Sequence, residues 1–410
     1  MSTTELFLLA MLLIFAVPYL VWRLLNTESY APLFIVQIVG GVLLGPGVLG
    51  AAFPAYYSFI FTPPVTTALN GIAWWGVMLL VFIVGIELDL REAWAQRGES
   101  LVVSSLALFT PLLLGVGAAL ILLAWLPGSM GARAQPWQFV TGVGVACAVT
   151  ALPILVVLME KLAILRTSLG QRMLRYASFD DLAIWGVLAI ILLDWERIGR
   201  QTLFLAGFWG AAWLVRRLMV RLRDDDRWAC ALIWLVATGL ASDWAGLHYM
   251  VGAFLGGVVL DAQWFDRHKL DTLREHILLV LMPVFFLSTG LRTSWDVTAP
   301  TVFLAAALLL AVSVGGKLLG VGLAGRILNW PKGDARVIGW MMQTKGLIEL
   351  IFANILLDKG ILSSEVFTAL LLMAVASTML SIPMVSDTLP VPKKAPPVPL
   401  GGVPAMRDLS

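Results

Sequence analysis

Two adjacent aspartates, Asp180 and Asp181, lie inside an otherwise apolar stretch at 172–193. They come about nine residues into that stretch, a depth of roughly 13 Å at the helical rise of 1.5 Å per residue and therefore close to the middle of a bilayer. Adjacent side chains on a helix point in different directions, so one can face a water-filled cavity while the other faces a buried partner. Carboxylate oxygens suit hard cations, and desolvation favours the protonated carboxyl group. The pair predicts a site that binds either protons or a metal cation.

Three further charged residues lie within apolar stretches and need partners. Lys317 is predicted near mid-membrane with Asp180 as its anionic partner, either as a proton-exchanging group or as a static counter-charge. Lys345 can satisfy the C-terminal end of a half-helix, and Glu349, one turn later, can pair with it; both are predicted to be structural. A charge at the bilayer centre costs from about 3 to over 10 kcal/mol, so such residues mark a cavity or a partner.

The composition places these residues in a membrane protein. The 410 residues are 60% hydrophobic and 13% charged, with a mean hydropathy of +0.89, whereas a soluble domain carries about 25% charged residues. The net charge of +2 and the lack of a basic stripe argue against a nucleic-acid partner. The sequence has no phosphate-binding glycine-rich loop and no hydrolase motif, so neither a nucleotide nor a cofactor is expected.

Apolar runs of about 20 residues predict thirteen transmembrane helices in an all-α fold. The predicted segments are 5–24, 34–50, 70–88, 101–125, 138–160, 172–193, 202–220, 228–244, 246–262, 277–292, 301–325, 336–357 and 366–386. Most of the 28 lysines and arginines fall in alternate loops and in the tail, which predicts an N-terminus outside and a C-terminus in the cytoplasm. Residues 1–386 form the membrane domain, followed by a short Pro-rich cytoplasmic tail at 387–410.

Two pairs of segments predict an inverted repeat. The string VGGVLLG at 39–45 matches VGAFLGG at 251–257, and FIVGIE at 82–87 matches LSTGLR at 287–292, each seven segments later. Thr150 and Pro153 interrupt segment five, and Thr344 with Lys345 and Gly346 interrupts segment twelve at the corresponding place. Two discontinuous helices crossing at mid-membrane are typical of secondary transporters.

Several of these strings resemble one family, the cation–proton antiporters that include bacterial Kef-type proteins and plant cation/proton exchangers. The strings are TALPIL at 150–155, LG at 169–170, DDLAIW at 180–185, GLH at 246–248, GAFL at 252–255, PVFF at 283–286, STGLR at 288–292 and TKGLIEL at 344–350. The resemblance covers about 35–385. It implies the sodium/proton antiporter fold, with a core domain at about 101–193 and 301–386 and a dimerisation domain at about 34–88 and 228–292.

By the same resemblance, Asp181 is the ion-binding carboxylate, Asp180 stands where some members have Asn, and Lys317 is the basic residue that pairs with it. Lys345 stands where many members have Arg. Kef-type members continue into a cytosolic nucleotide-binding domain, and gating by such a domain is not expected here. The expected partners are Na⁺ or K⁺, protons, membrane lipid and a second copy of the chain, in a prokaryotic cell membrane.

Two other functions stay open on the residues alone. A cation channel could share the scaffold, and it would conduct without obligatory proton coupling. A sodium-coupled symporter for an organic solute would need more polar groups near the crossing than the few that the sequence supplies. The leading prediction is an electrogenic antiporter that exchanges Na⁺ or K⁺ for protons by alternating access, with selectivity set by cavity size and ligand number.

Overall fold

The structure is a computed structural model that describes residues 2–26, 33–87, 97–151, 167–193, 198–293, 300–331 and 333–386, and a few single positions between 155 and 164. The predicted tail at 387–410 lies outside the described residues. The described chain is helical apart from turns and one isolated β-bridge between Met130 and Leu362. The all-α prediction is confirmed for this part of the chain.

The described part of the chain contains fourteen main helices. They are α1 (Thr3–Leu24), α2 (Leu33–Leu44), α3 (Pro63–Glu87), α4 (Arg97–Trp125), α5 (Pro136–Ala148), α6 (Ser168–Ile191), α7 (Ile198–Arg221), α8 (Asp224–Trp244), α9 (Tyr249–Val259), α10 (Met282–Leu291), α11 (Thr301–Ile327), α12 (Asp334–Met342), α13 (Leu347–Asp358) and α14 (Ser364–Ser386). Shorter helices at Leu49–Ala52 and Pro54–Ile60 connect α2 to α3, and the helix Arg267–His276 runs through a π-helical turn, Ile277–Leu281, into α10.

A described helix lies in each of the thirteen predicted segments, and segment twelve contains two. Seven helical spans are long and apolar enough to cross a membrane individually, among them α1, α3, α4, α7 and α11. Large apolar side chains on their outer surfaces are exposed, as lipid contact requires. The chain is therefore a multi-pass integral membrane protein, while the full count of thirteen crossings stays a prediction.

The described helices pack as two groups. The site group consists of α4, α5, α6 and α11–α14, and the flanking group consists of α1–α3 and α7–α10. In each group a long helix packs along its neighbours: α11 lies against α4 and α14 in the site group, and α3 lies against α9 and α10 in the flanking group. Extensive packing occurs within each group, and the contacts between the groups are sparse.

Glycines allow the helices of the flanking group to approach closely. A Cβ on Gly290 would lie 2.4 Å from the backbone carbon of Gly41, and a Cβ on Gly257 would lie 2.2 Å from the Phe82 carbonyl oxygen. Both distances are far below van der Waals contact, so α2 meets α10, and α9 meets α3, backbone to backbone. The sequence strings that predicted a repeat thus occupy reciprocal helix contacts.

Glycines can also bring helices of two chains together, and Gly40, Gly41, Gly252 and Gly256 are candidates for such a contact in a homodimer. Instead a Cβ on Gly252 would meet the Thr238 carbonyl oxygen at 2.2 Å, and a Cβ on Gly41 would meet the Leu287 carbonyl oxygen at 2.8 Å. These glycines are used for packing within one chain, because the neighbouring segments are the nearest helices available. They give no support to a dimer interface.

We expect Gly290→Ala to destabilise the fold, because its methyl group would collide with backbone that cannot move aside. Overpacking of this kind costs about 1–3 kcal/mol. The thermal midpoint of the detergent-purified protein should fall, measured by loss of the monodisperse chromatographic peak. Gly322→Ala on α11 is the matched control, since nothing lies within 4 Å of its added Cβ. An unchanged midpoint for Gly290→Ala would contradict the packing.

Candidate functional site

Two helices of the site group are interrupted within the membrane domain. α5 ends at Ala148, and the other helix breaks between Met342, where α12 ends, and Leu347, where α13 begins. Gly346 has φ +119°, a conformation that favours glycine, so the break depends on this residue. The break predicted in segment twelve is confirmed. Pro153, predicted to open segment five, lies outside the described residues; the helix has already ended before it.

The two interruptions contact each other. The backbone N–H of Ala151 donates to the Thr344 carbonyl oxygen at 2.9 Å. The Thr150 hydroxyl oxygen lies 2.9 Å from the Met342 carbonyl oxygen, which is one of the unpaired acceptors at the end of α12. Non-helical backbone of each stretch therefore satisfies polar groups of the other, as buried backbone in a membrane must.

Lys345 caps the end of α5. Its fully buried ammonium donates to the carbonyl oxygens of Ala146 at 3.0 Å, Cys147 at 2.8 Å and Val149 at 3.1 Å. A helix leaves its last four carbonyls unpaired and carries partial negative charge at that end, so a cation there satisfies both needs. Lys345 thus lies at a half-helix end, and that end belongs to α5.

Lys317 caps the same helix end and joins it to a carboxylate. Its ammonium donates to the Ala148 carbonyl oxygen at 2.6 Å, to the Thr150 hydroxyl at 2.9 Å and to Asp180 Oδ2 at 3.2 Å. The Thr150 hydroxyl is also 3.0 Å from Asp180 Oδ2. The predicted pairing of Lys317 with Asp180 is present, and all three ammonium hydrogens have acceptors.

Asp181 contrasts with its neighbour. Both residues are completely buried, yet among the described residues neither oxygen of Asp181 has a hydrogen-bond partner, and Asp180 Oδ1 also has none. Three carboxylate oxygens in the middle of an apolar domain are thus not engaged by protein donors. Oxygens of this kind require a proton or a cation, because an unpaired buried charge is very unfavourable.

Glu349 lies in the first turn of α13, where a helix N-terminus favours negative charge. Its nearest carboxylate oxygen is 3.8 Å from the Lys345 ammonium, and neither oxygen accepts a hydrogen bond. The predicted pair is therefore an ion pair without a hydrogen bond, because carbonyls of α5 take all three Lys345 hydrogens. Thr344 lies beside the break with its hydroxyl unpartnered among the described residues.

Sequence reasoning missed a polar network behind the crossing. The Gln343 amide donates to the hydroxyls of Ser313 and Ser377, each at 3.0 Å. Ser313 in turn donates to the Cys147 carbonyl oxygen at 2.7 Å. The network fixes α11 and α14 to both broken helices. Single serines in apolar helices give no signal in the sequence, because only folding brings Ser313 and Ser377 to the same break.

Two further titratable residues lie away from this site. His248 is buried and its Nδ1 accepts from the Met250 backbone N–H at 3.3 Å, so it caps α9. Glu87 forms an ion pair with Arg274 at the end of α3. In the described contacts, neither residue pairs with Asp180 or Asp181.

The fold and this crossing define a class of protein: a multi-pass membrane protein with two broken helices and buried charges where they meet. Comparison with known families agrees. Residues 9–386 match the family described as sodium/hydrogen exchanger, transmembrane. The chain belongs to this family.

Its relatives are named as antiporters. It is 30% identical over 377 residues to cation/H⁺ antiporter 19 of Arabidopsis thaliana, covering 86% of this chain and 46% of that protein. It is 26% identical to the Na⁺/H⁺ antiporter NhaS4 of Synechocystis sp., covering 90% and 94%. The chain spans about half the length of the plant relatives that it matches.

A solved structure shares the fold. The sodium proton antiporter MjNhaP1 of Methanocaldococcus jannaschii superposes with a TM-score of 0.59 at 14% identity, over 94% of this chain and 97% of that one. The fold extends over almost the whole of both chains. The predicted sodium/proton antiporter fold is confirmed at this level.

We expect Lys345→Gln to destabilise the protein far more than Glu349→Gln. The first change removes three hydrogen bonds from a charged donor, and an amide with two N–H groups can replace at most two of them with weaker ones; hydrogen bonds to charged groups contribute about 1.5–3 kcal/mol each. The second removes no hydrogen bond. Thermal midpoints of both variants in one detergent measure the difference. Equal losses of thermal midpoint in the two variants would show that Lys345 stabilises the protein through the Glu349 charge and not through its contacts with the carbonyls.

Proposed function

We propose that this chain is a secondary active antiporter that exchanges a monovalent cation, Na⁺ or K⁺, for protons by alternating access. The observation that carries the proposal is the set of three buried carboxylate oxygens on Asp180 and Asp181 that no donor in the described part of the chain engages. They lie beside the crossing of two broken helices, where a transported ion could be released to either side. The names of the relatives, cation/H⁺ and Na⁺/H⁺ antiporters, agree with this chemistry.

Asp181 is the group for which proton and cation compete. Burial favours its neutral, protonated form when no cation is present. A cation entering the site replaces that proton, because its charge stabilises the carboxylate and its radius admits several oxygen ligands. Asp180 Oδ1 supplies a further unengaged oxygen. The cation is the cargo of the cycle.

Lys317 provides the second proton. When a cation draws Asp180 toward itself, the Lys317 ammonium loses one of its three acceptors. Releasing H⁺ leaves a neutral amine with two N–H donors, and the Ala148 carbonyl and Thr150 hydroxyl are two neutral acceptors for them. Asp181 releases the other proton. One cation is then exchanged for two protons, so the cycle moves net charge.

The wider architecture of the proposal follows the family resemblance. The core domain at about 101–193 and 301–386 comprises the site group, and the dimerisation domain at about 34–88 and 228–292 comprises most of the flanking group; their sparse contacts support relative movement. Reciprocal contacts of α2 with α10 and of α9 with α3 support an inverted repeat. The outside N-terminus, the prokaryotic membrane and the homodimer are further parts of the proposal.

We expect Asp181→Asn to abolish exchange while the protein stays folded, because an amide cannot release a proton or carry the charge that binds the cation. Cation-dependent collapse of a pH gradient in proteoliposomes measures the loss. Asp261→Asn is the control: Asp261 only caps a short helical turn through the Gln263 N–H, and Asn caps as well. Exchange at the wild-type rate in Asp181→Asn would refute the assignment.

The stoichiometry predicts a response to voltage. With membrane potential clamped by potassium and valinomycin and Na⁺ as the test ion, the proton gradient that nulls exchange should shift with the potential. In Lys317→Arg, any exchange that remains should have a null point that does not shift with the membrane potential, because the guanidinium keeps its proton. A null point independent of voltage in the wild type would mean one-for-one exchange and a permanently charged Lys317.

A further inference from the structure

The two helix groups are joined at one end by side chains that the site does not use. We name these five residues the Arg292 clasp: Thr289 and Arg292 at the end of α10, His248 before α9, and Asn354 and Asp358 at the end of α13. The first three belong to the flanking group and the last two to the site group. Every clasp contact therefore crosses the boundary between the groups.

Hydrogen bonds make the clasp specific. The Arg292 guanidinium donates to Asn354 Oδ1 at 2.7 Å and also to Asp358 Oδ1. The Asn354 amide donates to the Thr289 hydroxyl at 3.2 Å. His248 Nε2 lies 3.7 Å from Asp358 Oδ2. Because Nδ1 of that ring accepts a backbone hydrogen bond, Nε2 is the nitrogen that carries hydrogen toward the carboxylate.

The opposite end of the molecule is built differently. Arg172 binds Glu99 at 2.8 Å and Asp334 at 3.3 Å, and all three belong to the site group. Arg274 pairs with Glu87 inside the flanking group. Asp334 lies at the start of α12 and Asp358 lies at the end of α13. The ion pair of Asp334 with Arg172 and the clasp are therefore at opposite ends of the same broken helix. The charged contacts described there strengthen each group and do not join the two.

A cavity of about 530 Å³ opens beside the clasp, between the groups. Its lining includes Asn70, Trp74, Asp243 and Lys359 together with three members of the clasp. The lining includes two carboxylates, Asp243 and Asp358, and the volume is many times that of one water molecule, so a hydrated monovalent cation fits there. Arg292 and Asp358 are each about one-third exposed, at 34% and 32%, so water can reach and compete for their contact.

We propose that the Arg292 clasp is a gate: it closes one end of the cation pathway between the two helix groups, and it opens once in each exchange cycle. The proposal rests on the proposed function, in which a cation moves along this pathway. It adds the residues that separate the cavity from the site. The clasp suits a gate because it crosses the groups at one end and because water can compete for its Arg292–Asp358 contact.

Two cysteine pairs test whether the clasp must open. Thr289→Cys with Asn354→Cys allows the clasp to be cross-linked. Asn70→Cys with Ser288→Cys is the matched control, since it also joins an asparagine to a hydroxyl, at 2.6 Å, but within the flanking group. Both pairs are placed in a Cys147→Ala, Cys230→Ala background, bridged with a short thiol cross-linker in proteoliposomes, and assayed before and after reduction.

The cross-linked clasp should lose exchange by at least about tenfold, the factor that corresponds to a gate held shut by more than 1.4 kcal/mol, and should recover on reduction. The cross-linked control should keep its rate. Full exchange through a cross-linked clasp, failure of the clasp pair to cross-link, or equal arrest of both pairs would overturn the proposal.

A second measurement does not depend on transport. A single Thr289→Cys, at a buried position, should react slowly with a water-soluble thiol reagent. Adding Asp358→Asn removes a charge-assisted hydrogen bond and should speed the reaction by about tenfold. An unchanged labelling rate would overturn the gate even in protein that exchanges normally. If labelling responds while wild-type protein exchanges no cation for protons, the gate stands and the proposed function fails.

Discussion

The end of α5 inside the membrane domain is the constraint on which the rest of the structure depends. A helix that stops in an apolar medium leaves carbonyl oxygens that water cannot reach. Here two lysines satisfy four of them, Lys345 with three and Lys317 with one. The chain thereby tolerates two buried cations and a broken helix together, although each alone would be strongly destabilising.

That arrangement decides how the acidic residues behave. Lys345 has no hydrogen left for Glu349, and Lys317 uses only one on Asp180. Asp181 has no donor of its own in the part of the chain that the structure describes. The same contacts that stabilise the break leave unengaged carboxylate oxygens beside it. A stable resting structure and an available ion site are two results of one set of hydrogen bonds.

Packing is dense within each helix group and sparse between the two groups. Glycines bring helices of the flanking group into backbone contact, and a polar network of Gln343, Ser313 and Ser377 fixes helices of the site group to the break. Between the groups, contacts are sparse and the polar ones described are concentrated at the Arg292 clasp. Two tightly packed bodies with a small connection can move as units, because the interior of each is too dense to deform easily.

The sequence alone determined the membrane class, the helical fold, the pairing of Asp180 with Lys317 and the break at 343–346, because these follow from hydropathy, charges in apolar runs and local breakers. Tertiary structure decided the rest. Gly41 and Gly252 looked free for a second copy, yet they pack within the chain. Ser313, Ser377 and the clasp gave no local signal, since their partners lie far along the chain. Which groups meet across helices depends on how the helices are placed, and periodicity carries no information about that.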